Sequence, residues 1–195
     1  MTPVTTVRAV STLDHVVWAV PRIEPVAHAL LADHGLLVLP GGVHPAWGTQ
    51  NAIVPLGGPY LELVEVADPD APRVGFTGRV ASVAGEGGGL ALWCERVDDI
   101  VAGAGARGYD VVAGHRANPD GSVLAWRVAG MPQACADPAL PFLIQWDDAT
   151  AMPGTIAVDH PCGPIGDVHL ELGPMGPHAL CITLAGRVIS LPAGH

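Results

Sequence analysis

The sequence predicts an α+β protein built from two β-α-β-β-β modules and a C-terminal β extension. Three observations support this prediction. Residues 12–66 alternate between strand-like and helix-like patterns in the order of one such module, and the same order returns over residues 89–147. Residues 155–195, which neither module includes, contain further alternating segments typical of strands. We therefore predict a single domain over residues 1–195.

Module one is defined by clear start and stop signals. A Val- and Trp-rich strand is followed by Pro21 and then by apolar residues at helical spacing, and His34 and Gly35 mark the helix end. Pro40 ends a short second strand, and Gly57, Gly58 and Pro59 form a turn between the last two strands. The predicted strands are 12–20, 36–39, 50–56 and 60–66.

Residues 67–88 are predicted to be a linker with a short helical piece around residues 79–83. The glycines at its end are not followed by Lys and Ser or Thr, so a nucleotide-binding loop is disfavoured. The spacing between matching positions of the modules increases towards the end of module two, which indicates an insertion around residues 131–138.

Composition excludes several classes of function. The chain has 195 residues, 49% of them hydrophobic and 14% charged, and a formal net charge of −10, which disfavours a nucleic-acid partner. All basic residues are Arg, so lysine-based covalent catalysis is excluded. No apolar run is long enough to span a membrane and no signal pattern begins the chain, so we expect a cytoplasmic protein without a membrane partner. The four cysteines form no C-x-x-C pair.

Two strands each carry one potential metal ligand among apolar residues. Alternation puts His15 on one face of the first strand, with Asp14 on the opposite face, and it puts Glu62 on an apolar face of the fourth strand. A buried carboxylate is costly unless it is paired, hydrogen-bonded or metal-bound. If the two strands are neighbours, His15 and Glu62 can enter one cavity, although a lone buried His is more often a structural residue.

The loop over residues 41–51 has the densest polar chemistry in the chain. His44 is a candidate third ligand or general base, and Trp47 is a candidate for stacking on a substrate. Thr49 and Asn51 are candidate substrate-binding residues, although they can equally satisfy backbone groups of a turn. Near the C-terminus His169 and Glu171 share a strand face and can chelate a metal, but the pattern favours a solvated face of an edge strand.

The segments 13–17, 44–51 and 60–63 resemble the glyoxalase-like branch of the vicinal oxygen chelate superfamily. This resemblance implies curved, mainly antiparallel sheets that enclose a cavity, and a divalent metal ion (Zn, Ni, Mn or Fe) held by His15 and Glu62. It places the matching positions of module two on Gly89 or Leu90 and on Ile144 or Gln145. The site would then be completed by His44, Gln145 or another late residue, by the second subunit of a homodimer, or would hold no metal.

Two main functions follow from these residues. The first is a metal-dependent lyase, isomerase or dioxygenase acting on a small oxygenated molecule, in which His44 or Glu65 moves protons. The second is a metal-free protein that sequesters a small aromatic or apolar ligand, which the tryptophans Trp47, Trp126 and Trp146 favour. The third interpretation is a structural module with an inactive cavity.

Overall fold

A computed structural model describes residues 12–117, 123–147, 152–173, 176–184 and 186–192. The first module consists of a strand, a helix and three further strands: β1 (Leu13–Ala19), α1 (Ile23–His34), β2 (Leu39–His44), β3 (Thr49–Pro55) and β4 (Tyr60–Val66). The second repeats this order with an added helix before its last strand: β5 (Gly89–Arg96), α3 (Ile100–Gly105), β6 (Val111–Ala117), β7 (Val123–Ala129), α4 (Met131–Ala136) and β8 (Phe142–Trp146).

The described residues outside the two modules form one helix, a 3₁₀ turn and three strands. Helix α2 (Gly75–Gly85) joins the modules, and a 3₁₀ turn (Pro153–Thr155) leads into the C-terminal strands β9 (Ile165–Gly173), β10 (Gly176–Leu184) and β11 (Arg187–Pro192). No helix in the described ranges has the length and apolar character needed to cross a membrane.

The two modules form one continuous sheet of eight strands in the order β2-β3-β4-β1-β5-β8-β7-β6. Strands β1 and β5 pair antiparallel at its centre, and each pairs in parallel with the fourth strand of its own module, β4 or β8. The predicted α+β class with paired modules and a C-terminal β extension is therefore confirmed.

The two faces of this sheet bury different sets of residues. On one face, α2 and α4 pack over β1, β5 and β8, with Val17, Phe76, Val80 and Leu92 among the buried side chains. On the other face, α1 and the three-stranded β11-β10-β9 sheet cover module one around Val16, Leu61, Leu170 and Leu180. Helix α3 packs separately on module two. The first of these faces contains the cavity described below.

Two element boundaries differ from the sequence prediction. The second strand begins at Leu39 rather than ending there, because it continues through Pro40 and two glycines to pair with β3. A Cβ at Gly41 would collide with the Asn51 side chain, so only glycine allows this approach. The segment predicted as a linker contains α2, which is longer than the expected helical piece because Phe76, Val80 and Val83 all find buried positions.

The end of α1 agrees with its predicted signal. Helix α1 ends at His34, and Gly35 adopts a φ of 67° while its N–H donates to the carbonyl oxygen of Leu31 at 2.9 Å. The left-handed conformation favours glycine, and a Cβ there would also lie 2.7 Å from the backbone nitrogen of Cys162. The helix end therefore also allows the C-terminal segment to approach closely.

We expect the C-terminal sheet to be an integral part of the core. Replacing fully buried Leu170 by Ala should lower the free energy of unfolding by about 2–5 kcal/mol, because it leaves a cavity between the two sheets. Val188→Ala, on the 61% exposed side of the same sheet, should change it by no more than about 0.5 kcal/mol. Urea denaturation followed by circular dichroism measures both, and equal effects would show that the C-terminal sheet does not pack as described.

Candidate functional site

A cavity of about 60 Å³ lies on the face of the central sheet that α2 and α4 cover, and both modules line it. Module one contributes polar side chains and module two contributes mostly apolar ones. The lining residues of the two modules, with Phe76 of α2 and Pro153, are His15, His44, Trp47, Asn51, Ile53, Tyr60, Glu62, Leu124, Trp126, Val128, Met131, Phe142, Ile144 and Trp146.

His15 and Glu62 face this cavity from neighbouring strands. Because β1 and β4 pair in parallel with Val17 opposite Glu62, both side chains point to the same side of the sheet. The His15 Nε2 atom lies 3.8 Å from the Glu62 Oε2 atom, and both residues are buried, with 4% and 9% of their surfaces exposed. The His15 ring also stacks on Tyr60, with ring centres 4.6 Å apart.

Asp14 lies beside His15. The sequence prediction differs, because alternation put Asp14 on the opposite face of the strand. The register between β1 and β5 shifts between Leu13 and His15, so Asp14 occupies a β-bulge that changes the direction of its side chain. Asp14 Oδ1 lies 2.8 Å from His15 Nδ1, and Asp14 Oδ2 accepts a hydrogen bond of 2.9 Å from Trp146 Nε1. A carboxylate on Nδ1 fixes the imidazole ring and leaves Nε2 for the cavity.

Asn51 is the second polar partner of Glu62. Its Nδ2 donates to Glu62 Oε1 at 2.5 Å, and its Oδ1 accepts from the backbone N–H of Gly42 at 2.6 Å. The neighbouring Gln50 points to the other side of the strand, as alternation requires. Asn51 therefore connects Glu62 to the glycine-rich part of β2 and holds the carboxylate in one orientation.

His44 and Trp47 form one wall of the cavity. Their rings meet edge-on with centres 5.6 Å apart, and Trp47 also packs against Phe76 of α2. Thr49 is fully buried, and its Oγ1 lies 3.0 Å from His44 Nδ1. Thr49 is thus positioned to orient His44 and is not among the residues that line the cavity.

Two predicted site residues lie away from the cavity. Glu65 is on the opposite face of β4, where its Oε2 accepts from the backbone N–H of Ile23 at 2.5 Å and its Oε1 accepts from Gln50. Gln145 likewise accepts from the backbone N–H of Ile100 at 3.1 Å. Each therefore caps the first turn of the helix in its own module, and neither is among the residues that line the cavity.

Cys94 of β5 is fully buried beside the site, although it is not among the residues that line the cavity. The strand register pairs His15 with Tyr60 in module one and Cys94 with Phe142 in module two, so Cys94 holds the place of His15, whereas Gly89 and Leu90 do not. By the same register Ile144 holds the place of Glu62. Sequence spacing missed Cys94 because the interval from the first strand to the following helix differs between the modules, and only strand pairing reveals its position.

The thiol of Cys94 belongs to a compact group of potential metal ligands. One ligand atom from each of Asp14, His15 and Cys94 lies within 4.8 Å of the others, and all three residues are buried. Burial raises the pKa of the Cys94 thiol well above its usual value, and the charges of Asp14, Glu62 and Glu95 raise it further. The thiol is therefore protonated at neutral pH unless a cation replaces its proton.

Aromatic side chains form much of the remaining wall. Trp126 and Trp146 meet edge-on with ring centres 5.7 Å apart, and Phe142 contacts the edge of the His15 ring with centres 5.3 Å apart. The cavity is lined by all three tryptophans that the sequence suggested as ligand contacts, namely Trp47, Trp126 and Trp146. A small molecule in this space would meet a polar floor from module one and aromatic walls from both modules.

Comparison with known proteins gives a family match and a set of structural likenesses. The family model described as a glyoxalase-like domain matches residues 13–177. A hypothetical protein from Staphylococcus aureus has a TM-score of 0.59 at 16% sequence identity, and the alignment covers 94% of this chain and 88% of that one. The comparison with curated proteins found no match.

Structures of methylmalonyl-CoA epimerase are similar over a smaller part of the chain. The Streptomyces coelicolor epimerase in complex with 2-nitronate-propionyl-CoA has a TM-score of 0.51 at 18% identity, covering 73% of this chain and 99% of that one. An epimerase bound to methylmalonyl-CoA and ammonium has a TM-score of 0.50 at 19% identity, covering 73% and 98%. At these identities the likeness shows a shared fold.

The capping role of Glu65 leads to a prediction that separates it from the cavity. Glu65→Ala should lower the free energy of unfolding by about 1–3 kcal/mol, because the first N–H of α1 and the Gln50 amide lose their buried acceptor. Exposed Glu24, in the first turn of the same helix, is the matched control, and Glu24→Ala should cost about 1 kcal/mol at most. Urea denaturation checks both values. Unchanged stability of Glu65→Ala would contradict the capping role.

Proposed function

The chain belongs to the glyoxalase-like domain family, and we propose that its cavity binds a divalent metal ion and a small oxygenated substrate. The observation that carries this proposal is the position of His15 Nε2, 3.8 Å from Glu62 Oε2 on a neighbouring strand. Two buried donor atoms that face each other across a cavity can coordinate one cation between them with little rearrangement.

The residues present fit a divalent ion. His15 Nδ1 is occupied by Asp14, which leaves Nε2 as the ligating nitrogen, and Glu62 Oε1 is occupied by Asn51, which leaves Oε2. Cys94 is the proposed third donor, because its thiol lies within 4.8 Å of a ligand atom of His15, in a buried group that includes Asp14, and it would lose its proton to a metal. All three donors come from one chain, so the ligand set does not require the second subunit of a homodimer.

The donor set also favours some metals over others. Imidazole, carboxylate and thiolate together suit Zn, Fe or Ni better than Mn, which prefers oxygen ligands. A free thiol is maintained in a reducing compartment, and the cysteines of the described chain are free, which supports the cytoplasm as the proposed location.

A bound ion would supply Lewis-acid polarisation of a substrate carbonyl or hydroxyl oxygen. The chain's own residues then determine the reaction class. Asp14 and Asn51 hold the imidazole and the carboxylate in place, and His44, oriented by Thr49, is the proposed carrier of the substrate proton. This arrangement supports a lyase or isomerase reaction that moves a proton next to a polarised oxygen, and a dioxygenase is the alternative within the same class of site.

The aromatic walls serve substrate orientation in this proposal. Trp47, Trp126 and Trp146 offer flat apolar surfaces around the polar floor, and they exclude water from the space beside His15 and Glu62. Because Trp146 is also hydrogen-bonded to Asp14, its ring is fixed relative to the imidazole. The proposed substrate is therefore a small molecule with an apolar part and a carbonyl or hydroxyl group at one end.

A metal-free binding protein is the second candidate function. It is supported by Ile144, which provides no ligand at the position matching Glu62, and by the mainly apolar lining contributed by module two. In this case Asp14, His15, Glu62 and Asn51 form a satisfied polar network, and the tryptophans retain a small aromatic or apolar ligand.

Metal content distinguishes the two functions. Both the wild-type chain and the His15→Ala/Glu62→Ala variant are purified without a nickel column and reconstituted with each candidate metal. Elemental analysis should then find one more equivalent of metal in the wild type than in the variant. Glu65→Ala is the matched control, since this glutamate of the same strand lies on the opposite face and should leave the metal content unchanged. Equal metal content in the wild type and the double variant would reject the metal site.

Ligand binding with a chelator present tests the second function. If the chain is a metal-free binder, small aromatic ligands should quench tryptophan fluorescence equally with and without the chelator. Trp126→Leu should reduce the quenching because Trp126 lines the cavity, whereas Trp93→Phe should not, because buried Trp93 packs on the other face of the sheet. Quenching that requires added metal would exclude this function.

A further inference from the structure

A second group of potential metal ligands lies outside the cavity, on the C-terminal sheet. We propose that His169, Glu171 and Cys181 form a zinc site on the outer face of this sheet. One ligand atom from each residue lies within 4.8 Å of the others. The site is independent of the proposed function of the cavity.

Strand pairing brings the three side chains together. On β9 the even-numbered Val168, Leu170 and Leu172 pack into the core, so His169 and Glu171 face outward. The antiparallel register with β10 puts Cys181 directly opposite His169. The sequence shows only the His-x-Glu pair on β9, and the third ligand becomes visible only through the register.

A contact with Asp167 orients the His169 ring for metal binding. Its Nδ1 lies 3.0 Å from Asp167 Oδ2, so the ring is oriented and Nε2 is the nitrogen that would ligate. The side chain of His169 is 29% exposed, whereas Cys181 is 5% exposed. An ion bound here would rest on the sheet with one side open to solvent, where a water molecule would complete a tetrahedral set.

The chemistry of the three donors suits zinc and disfavours magnesium and calcium. A thiolate, an imidazole and a carboxylate form a mixed set that Zn²⁺ binds well, whereas Mg²⁺ and Ca²⁺ prefer oxygen ligands only. Burial raises the pKa of the Cys181 thiol, the hydrogen bond with Ser190 lowers it, and Glu171 raises it. A divalent cation would offset the negative charge of Glu171 and of the thiolate together.

Such an ion would link β9 to β10. These strands carry Leu170 and Leu180 into the core beneath module one, so the zinc would stabilise the folded position of the whole C-terminal sheet. Zinc binding to the folded chain should therefore raise the Tm, in addition to any effect of the cavity.

The test uses the full-length chain stripped of metal and titrated with zinc by calorimetry. Asp167→Asn removes a hydrogen-bond partner of a ligand, and it should weaken one zinc-binding event by about tenfold. Loss of a ligand should cost more than the 10–100-fold typical of such a partner, so we expect a larger loss of zinc affinity in His169→Gln and in Glu171→Gln. His28→Gln and Glu24→Gln, which change exposed residues of α1, are the matched controls and should bind as the wild type does.

Two further readouts separate metal binding from misfolding. At a zinc concentration a hundredfold above Kd, the Tm should rise by about 5–10 °C more in the wild type than in Glu171→Gln. Cobalt(II) added to the wild type should give a thiolate charge-transfer absorption that is reduced in Cys181→Ser and retained in Cys162→Ser. Unchanged zinc affinity and an unchanged Tm rise in both His169→Gln and Glu171→Gln would overturn the proposal.

Discussion

The antiparallel pairing of β1 with β5 is the constraint on which the rest of the structure depends. It joins the two modules into one sheet and, with the parallel pairs β1–β4 and β5–β8, makes the four central strands neighbours. Because these four strands are adjacent, His15, Glu62 and Ile144 line one cavity and Cys94 lies buried close to His15. Module one alone would expose its apolar inner face and would provide His15 and Glu62 without the opposing wall.

The cavity concentrates acidic groups in a place where charge is costly. Asp14 and Glu62 are both buried beside His15, and Arg96 Nη1 lies 4.0 Å from Asp14 Oδ2 at the edge of the site. The Asn51 amide donates a hydrogen bond to Glu62 and the Trp146 indole donates one to Asp14, which offsets part of the cost of burying these carboxyl groups. The same network that makes the buried carboxylates tolerable also fixes the atoms that would hold a cation.

Much of the fold and half of the site follow from sequence pattern, and the remainder depends on strand register. Alternation and turn signals identified the modules and placed His15, Glu62 and Asn51 on strands that meet at the cavity. They placed His44 in a loop, whereas in the structure it is the last residue of β2. Alternation also misplaced Asp14, because a bulge in β1 breaks the period of two. Glu65 and Gln145 carry suitable chemistry but face the helices, and the importance of Cys94 and Cys181 becomes visible only when their partner strands are known.

The two modules contribute different kinds of side chain to the site, and this affects how the site can change during evolution. Module one supplies His15, Asp14, Glu62 and Asn51, whereas the described strands β7 and β8 contribute walls such as Leu124, Val128 and Ile144. Substitutions in those walls can alter which molecule fits without disturbing the polar network. One sheet can therefore retain its chemistry while its specificity diverges, and relatives that share this fold need not share a substrate.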